Sequence, residues 1–190
     1  MKLRLKKKNS AKSPKIQKIQ EYSNLRLWNH LYSKGDVAQI LENSDSSSYA
    51  TILKILWNKN KDQIPQARIR WFFKPKDIYS NTEMFSQNEL FDSNFIQNID
   101  VTAIYGKAKV LSLDEYLSHT EGDNIFFTRA KWNIKTKELK PPVQKWKKVC
   151  NCNQIYNPDR DYEKCMKCKR LFHKECIGWK EGIVCGDCEG

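Results

Sequence analysis

The most constraining feature of this chain is a string of cysteine and histidine residues in its C-terminal part. All seven cysteines lie after residue 149, and one histidine lies among them. An odd number of cysteines does not complete a set of disulfides, but the histidine brings the set to eight ligands in four close pairs. Close pairs let two side chains reach one tetrahedral ion with Zn–S bonds of about 2.3 Å. The string predicts two closed zinc sites built from Cys150, Cys152, Cys165, Cys168, His173, Cys176, Cys185 and Cys188.

An interleaved arrangement of the four pairs would tie the whole segment together. The predicted groups are then Cys150, Cys152, His173 and Cys176 for one ion, and Cys165, Cys168, Cys185 and Cys188 for the other. Residues 147–190 are too few to fold on buried apolar surface alone, whereas structural zinc supplies roughly 10–16 kcal/mol of folding energy. Because four protein ligands leave no position for water, we expect both ions to be structural rather than catalytic.

The order of these ligands resembles that of a PHD finger, in which histidine stands fifth, and differs from a RING finger, in which it stands fourth. The segment from Cys150 to Asp159 is similar to the PHD fingers of plant BAH–PHD chromatin readers. The resemblance implies a finger that pairs a histone tail with its central strand. It implies tail contacts from Tyr156 and Tyr162, and the acids Asp159 and Asp161 are further candidate tail contacts.

Two features of the finger leave its ligand open. Leu171 stands where methyl-lysine readers of this type usually carry tryptophan, and loss of that aromatic face should weaken trimethyl-lysine binding. The acids Asp159 and Asp161 fit an unmodified basic tail, or they are solvated charges on a loop. The two tyrosines either contact the tail or pack within the finger.

The middle of the chain has the pattern of a β-rich domain. Apolar and aromatic runs at Tyr49–Trp57, Ala67–Lys74, Lys107–Leu113 and Ile125–Trp132 are separated by polar turn clusters. Short strands at such spacing predict a small barrel or sandwich over residues 24–140. Pro141 and Pro142 predict a stiff extended break, so residues 141–146 are interpreted as a linker before the finger at 147–190.

Five segments of this region resemble a BAH domain, of which Arg70-Trp-Phe-Phe-Lys-Pro-Lys-Asp77 is the most specific. The others are Gly35–Val37, Tyr49–Ile55, Asn88–Phe91 and Gly106–Val110. The resemblance implies a mostly β chain, with a BAH-type, barrel-like β domain followed by a small PHD finger in which two zinc ions form a cross-brace.

Three aromatic residues match the methyl-lysine cage of this family, namely Tyr49, Trp71 and Phe73. Residues 71 and 73 are two apart on a predicted strand and therefore share a face, whereas Phe72 points to the other face. The alternative interpretation is that these rings are ordinary core, as aromatic residues at a period of two usually are.

The positive charge is concentrated at the start of the chain. The net charge is +12, and residues 1–20 hold eight lysines or arginines and no acid. We expect residues 1–22 to be a disordered basic tail, whose Lys2, Arg4, Lys6, Lys7 and Lys8 contact DNA phosphates without sequence preference. The same run is also typical of a nuclear import signal. No apolar run approaches the roughly 20 residues that span a bilayer, so we expect no membrane contact.

Three hypotheses about function follow. The first is a nuclear chromatin protein that reads a histone tail or nucleosome, with the cage holding methyl-lysine and the finger making a second contact. The second is a scaffold that binds protein subunits of a chromatin complex. The third, a RING-like ubiquitin ligase, is disfavoured by the position of His173. We do not expect an enzyme, because the sequence has no nucleophile motif, phosphate-binding loop or open metal site.

Overall fold

The computed structural model describes residues 19–43, 46–58, 64–118, 122–177 and 184–189, and most of its regular structure is β, as the sequence predicts. The strands are β1 (Gln20–Tyr22), β2 (Asn24–Leu27), β3 (His30–Ser33), β4 (Val37–Asn43), β5 (Ser46–Trp57), β6 (Gln66–Trp71), β7 (Asp92–Ser93), β8 (Ile96–Asp100), β9 (Ile104–Ser112), β10 (Ile125–Thr128), β11 (Lys131–Asn133), β12 (Glu138–Lys140), β13 (Lys148–Val149), β14 (Gln154–Ile155), β15 (Tyr162–Lys164) and β16 (Leu171–His173). The helices are α1 (Leu113–Ser118), α2 (Lys174–Ile177) and α3 (Gly186–Glu189), with 3-10 turns at Pro75–Asp77, Val101–Ala103 and Val143–Lys145. None of the helices in the described ranges is long and apolar enough to cross a membrane.

The main sheet has the strand order β10-β9-β4-β5-β6-β8, and β1 also pairs with β5. Its neighbouring strands are antiparallel except β9 and β10, which run parallel and are connected through α1. Strand β1 begins inside the segment that the sequence predicts to be a disordered tail. The ring of Tyr22 on β1 lies 6.1 Å from that of Trp57 and packs against the core, which fixes this strand on the sheet.

The first core lies on one face of the main sheet. On β6, Ala67 and Ile69 are fully buried while the intervening Arg68 is exposed, which is the period of two expected of a strand with one covered face. The same face of β5 contributes Ala50 and Ile52, which are also fully buried. These side chains, with Tyr32, Ala38, Ile40, Ile55, Val101 and Ile104, form one apolar cluster.

A second core joins the β-rich domain to the C-terminal finger. It contains Phe85, Phe91, Ala130, Leu139, Trp146 and Ile155. Ile155 belongs to the finger, and Trp146 belongs to the segment 141–146 that the sequence predicts to be a linker. That segment forms a 3-10 turn, and the indole Nε1 of Trp146 donates a hydrogen bond to the carbonyl of Pro141 at 2.9 Å. The two parts of the chain therefore share buried apolar surface.

In its described residues the finger consists of two short hairpins and the short helices α2 and α3. Strands β13 and β14 form one hairpin, and β15 and β16 form the other. The backbone N–H of Cys150 donates to the carbonyl of Leu171 at 2.9 Å and brings the two hairpins together. Within the described part of the finger, the buried members of its apolar cluster are Cys165, Phe172 and Cys185. Since so small a cluster stabilises little, the fold of this segment depends on its cysteines.

Candidate functional sites: two metal-binding clusters and an aromatic cavity

The eight predicted ligands gather in two groups, and the groups are the interleaved ones. Cys150, Cys152, His173 and Cys176 form the first cluster, and Cys165, Cys168, Cys185 and Cys188 form the second cluster. Within each cluster the ligand atoms all lie within 4.8 Å of one another. Each cluster could therefore hold a metal ion.

The distances inside the clusters fit zinc rather than disulfides. The Sγ atoms of Cys168 and Cys185 are 3.7 Å apart, close to the roughly 3.8 Å expected between two thiolates on one tetrahedral zinc. A disulfide requires about 2.05 Å, and all seven cysteines are free. In the first cluster, His173 Nδ1 lies 3.3 Å from Cys152 Sγ and 3.8 Å from Cys176 Sγ. Nδ1 is therefore the imidazole atom that faces this site.

Backbone amides prepare the second cluster for metal binding. The N–H groups of Cys185 and Cys168 point at the Sγ of Cys165 from 3.4 and 3.5 Å. Because these donors stabilise the thiolate, they lower the pKa of Cys165 to about 6. A thiolate is the form that binds zinc, so this geometry favours the ligand state.

The predicted tail contacts of the finger lie in three different settings. Tyr156 and Tyr162 stack on each other with ring centroids 5.0 Å apart, and Tyr162 also lies 4.9 Å from the ring of His173. Asp159 faces the β-rich domain, where its carboxylate accepts hydrogen bonds from the Ser86 hydroxyl at 2.7 Å and the Gln87 N–H at 2.8 Å. Asp161 is exposed, with Lys174 Nζ 3.7 Å away.

A buried ion pair stands at the junction of the two domains. Glu89 is fully buried, and its two carboxylate oxygens accept hydrogen bonds from Nε and Nη2 of Arg129, both at 2.7 Å. The third guanidinium nitrogen donates to the Tyr156 carbonyl at 2.7 Å, and the guanidinium lies 4.2 Å from the centroid of the Trp146 ring. Burial raises the pKa of Glu89, and the hydrogen bonds and charge of Arg129 oppose that rise. The sequence analysis missed Arg129, although charged residues such as Arg129 inside the largely apolar run Ile125–Trp132 are a usable signal.

The structure gives the three predicted cage residues different neighbours. Trp71 pairs with Ala50 across β5 and β6, so its ring shares the core face with Ala50, while Tyr49 points to the opposite face. The Trp71 ring packs against the first core, and its Nε1 donates to Gln97 Oε1 at 3.0 Å. The Tyr49 ring has two close neighbours, since the Phe126 ring centroid lies 4.3 Å from its own and Lys74 Nζ lies over it at 5.6 Å.

The third predicted cage residue, Phe73, lines an open cavity of about 630 Å³ that we term the aromatic cavity. Its lining consists of Phe73, Asp77, Ile78, Tyr79, Phe95, Trp132, Ile134 and Lys137. Tyr49 and Trp71 are not part of that lining. Phe95 is 37% exposed and Ile134 is 36% exposed, so the cavity is accessible from solvent.

Local pairing explains how residues distant in sequence meet in the aromatic cavity. Strand β7 runs parallel to β11, and Ser93 pairs with Trp132 in that register. The amide of Asn94 then joins the two segments, donating to Asn133 Oδ1 and accepting from the Ile134 N–H, both at 3.0 Å. These bonds set Phe95 beside Trp132. The sequence analysis did not predict this cavity, because the parallel pairing of β7 and β11 has no local signal.

The predicted DNA-binding residues Lys2, Arg4, Lys6, Lys7 and Lys8 lie outside the described residues.

Comparison with known proteins decides the family of the larger domain. The family model described as BAH domain matches residues 30–143. The chain is a BAH-domain protein. The match covers the β-rich domain and ends before the finger, so the family of the finger is not given by it.

Two known proteins are similar to this BAH domain, one in sequence and one in fold. The chain is 25% identical over 128 residues to the Arabidopsis thaliana protein named chromatin remodeling protein EBS, covering 63% of this chain and 54% of the relative. The chain thus spans about half the length of that curated protein. The crystal structure of the yeast Rsc2 BAH domain superposes with a TM-score of 0.52 at 16% identity, covering 63% of this chain and 53% of the other. At that identity the likeness concerns the fold alone.

Proposed function

We propose that this protein is a non-catalytic, nuclear chromatin-binding protein whose BAH domain binds a methylated lysine of a histone tail in the aromatic cavity. Membership of the BAH family and similarity to a chromatin remodeling protein support the chromatin role. The observation that carries the specific proposal is the aromatic cavity itself, an accessible space walled by four aromatic side chains.

The chemistry of the aromatic cavity suits a methylated ammonium group. A cation against an aromatic face gains about 0.5–1 kcal/mol when exposed and about 2 kcal/mol or more when desolvated. Phe73, Tyr79, Phe95 and Trp132 supply π surface, and Asp77 supplies a carboxylate at the same cavity. Phe73 is common to this cavity and to the cage that the family resemblance implies. The aromatic cavity shares Phe73 with that cage, but the other residues that line it are different.

The finger completes this proposal as a zinc-stabilised second contact. Two structural Zn²⁺ ions in the two clusters would fix its hairpins and, through Ile155 and Tyr156, its seat on the BAH domain. Two further cavities lead from the aromatic cavity toward the finger, since one shares Tyr79 and Lys137 with it and the next is lined in part by Ile155. A tail held at Phe73 would reach the finger along this path.

The alternative is a scaffold that binds subunits of a chromatin complex rather than methylated histones. Two observations favour it. Asp159, predicted to contact a tail, is held by Ser86 and Gln87 of the same chain. The face of Tyr49 that a ligand cation would use is taken by Lys74.

Fluorescence anisotropy with histone-tail peptides, unmodified or trimethylated on lysine, separates these functions. The Phe95→Ala variant should weaken binding of the methylated peptide about tenfold, because one aromatic wall is worth roughly 1–2 kcal/mol. Trp28→Ala, which removes an exposed aromatic residue outside the cavity, should leave affinity unchanged.

Two other outcomes would redirect the proposal. If Trp71→Phe weakens methyl-peptide binding and Phe95→Ala does not, the ligand uses the family-type cage instead of the aromatic cavity. If the wild-type protein binds none of the peptides, the scaffold function replaces the reader.

A further inference from the structure

A cluster of basic side chains surrounds a concave site on the finger, away from the aromatic cavity. We term it the basic cavity. It has a volume of about 270 Å³, and its charged lining residues are Lys147, Lys148, Lys169 and Arg170. Its lining contains no aspartate or glutamate. The first two lysines lie at the start of the β13 hairpin and the other two cations lie in the turn before β16. The Cys150–Leu171 backbone bond holds these two segments side by side.

The cations of the basic cavity differ in how far they are already neutralised. Arg170 forms an ion pair with Asp187, and its Nη2 lies 3.8 Å from Cys185 Sγ, where it offsets the thiolate charge of the second cluster. No acid pairs with Lys147, Lys148 or Lys169 among the residues that the structure describes. Three lysines without a described carboxylate partner therefore line this cavity, together with Cys150 and Cys168, one ligand from each cluster.

Three acids of the finger have partners outside the basic cavity. Asp159 is bound by the BAH domain, and Asp161 and Glu163 lie 3.7 and 3.8 Å from Lys174 Nζ. Asp187 reaches the lining of the basic cavity through its ion pair with Arg170, and no described carboxylate pairs with the three lysines there. Such a concentration of like charge is unfavourable for the isolated fold and is relieved by a polyanion.

We propose that the basic cavity binds the phosphate backbone of duplex DNA. Duplex DNA presents phosphates at regular spacing, and lysines bind phosphate without reading sequence. No exposed aromatic ring projects from the lining that would insert into a lipid bilayer, because the one ring present, Phe172, is 1% exposed. This contact is separate from the methyl-lysine function, so a failure of one leaves the other standing.

The test is the salt dependence of DNA binding by the full chain. The triple variant Lys147→Gln/Lys148→Gln/Lys169→Asn removes the three unpaired charges, and asparagine suits the positive φ of 61° at residue 169. A short fluorescent duplex of mixed sequence is titrated at several salt concentrations. The slope of log K against log salt should fall by about 2.7 in magnitude, since each phosphate contact contributes about 0.9.

The control variant removes the same charge from a different surface. Lys34→Gln/Lys76→Gln/Lys135→Gln replaces three exposed lysines outside the basic cavity, and its slope should stay within about 1 of the wild-type slope. Any contribution from the N-terminal tail is equal in both variants. Equal slopes for the two triple variants would overturn the proposal.

Two further measurements keep the result decisive. Zinc content is measured for each variant, and if the triple variant loses metal, Lys147→Gln/Lys148→Gln, which keeps the lysine next to Cys168, should still lower the slope by about 1.8. Binding to vesicles containing phosphoinositides is measured in parallel. Loss of vesicle binding with DNA binding retained would identify a membrane surface as the partner and refute the DNA proposal.

Discussion

At the scale of single residues, Arg129 is the side chain that makes the most contacts described at the junction of the two domains. Its planar guanidinium satisfies both oxygens of Glu89, reaches the Tyr156 carbonyl and covers the Trp146 ring. It is 11% exposed, and its partner carboxylate is fully buried. Removal of one member of such a pair destabilises the fold far more than replacement of both, because the remaining charge is buried with neither a partner nor solvent around it.

The Arg129→Met variant should lose about 3–5 kcal/mol of unfolding free energy, measured by urea denaturation. The double variant Glu89→Met/Arg129→Met should recover much of that loss, because no charge is left buried. Equal losses for the single and double variants would show that packing, rather than the ion pair, sets the cost.

The stability deficit of the Arg129→Met variant should change with pH in a defined direction. Burial raises the pKa of Glu89 in the folded chain above its ordinary value of 4.5, so the folded chain binds this proton more tightly than the unfolded chain. Stability from Glu89 is therefore complete below that ordinary value and is lost as pH rises through the folded pKa. Without Arg129 the deficit relative to wild type should be smaller near about pH 5 than near about pH 8.

At the scale of elements, α1 shows a local signal that the sequence analysis did not use. The run Lys107–Leu113 is predicted as a strand, but β9 ends at Ser112 and α1 begins at Leu113. Ser112 and Glu115 form a reciprocal cap, in which Glu115 Oε2 accepts from the Ser112 N–H at 2.8 Å and Ser112 Oγ accepts from the Glu115 N–H at 3.3 Å. A serine followed by a glutamate three residues later is a helix-start signature readable from sequence.

Substitution of the cap should weaken α1 measurably. Ser112→Ala should cost about 1 kcal/mol of stability, because the first-turn N–H loses its acceptor. Ser118→Ala, at the other end of the same helix, should stay within about 0.5 kcal/mol of wild type. Chemical denaturation gives both values, and a Ser112 effect no larger than the Ser118 effect would contradict the capping role.

Other elements divide into those that local pattern predicts and those that it does not. The run Tyr49–Trp57 lies within β5, and the run Ala67–Lys74 lies on β6 but extends past its end at Trp71. Strands of this kind are predictable because the alternation of a half-buried strand is visible in neighbouring residues. The interleaved ligand groups are likewise predictable, since ligand type and close spacing are local. The aromatic cavity and the Arg129 junction are not, because they depend on long-range pairings such as that of Ser93 with Trp132.

At the scale of the whole molecule, the BAH domain and the finger behave as one packed unit. Phe85 and Phe91 of the BAH domain contact Trp146, with ring centroids 6.0 and 6.1 Å apart, and Ile155 of the finger belongs to the same cluster. The finger reaches this cluster only if its hairpins are in place, and those depend on the metal clusters. Metal binding by these clusters would therefore be coupled to the packing of the BAH domain.

Removal of metal by a chelator should expose this coupling. We expect the finger to unfold and amide hydrogen exchange to accelerate around Phe91 and Trp146, while the centre of β5 and β6 stays protected. Cys152→Ser, which removes one ligand of the first cluster, should act in the same direction. Re-addition of Zn²⁺ should restore wild-type protection but not that of the variant. Unchanged exchange at Phe91 after metal loss would show that the domains are independent.

The position of Lys74 beside Tyr49 affects how tightly any cationic ligand can bind to the Tyr49 ring. Lys74 Nζ also donates to the Ser47 carbonyl at 2.6 Å, so the ammonium is anchored where it lies over the phenol. Because Lys74 belongs to the same chain, it competes with a ligand for the Tyr49 ring. Its effective concentration is in the millimolar range, about that of a short flexible connection. An incoming methylammonium would have to displace it, so micromolar occupancy of Tyr49 requires an intrinsic affinity well beyond what one aromatic face provides.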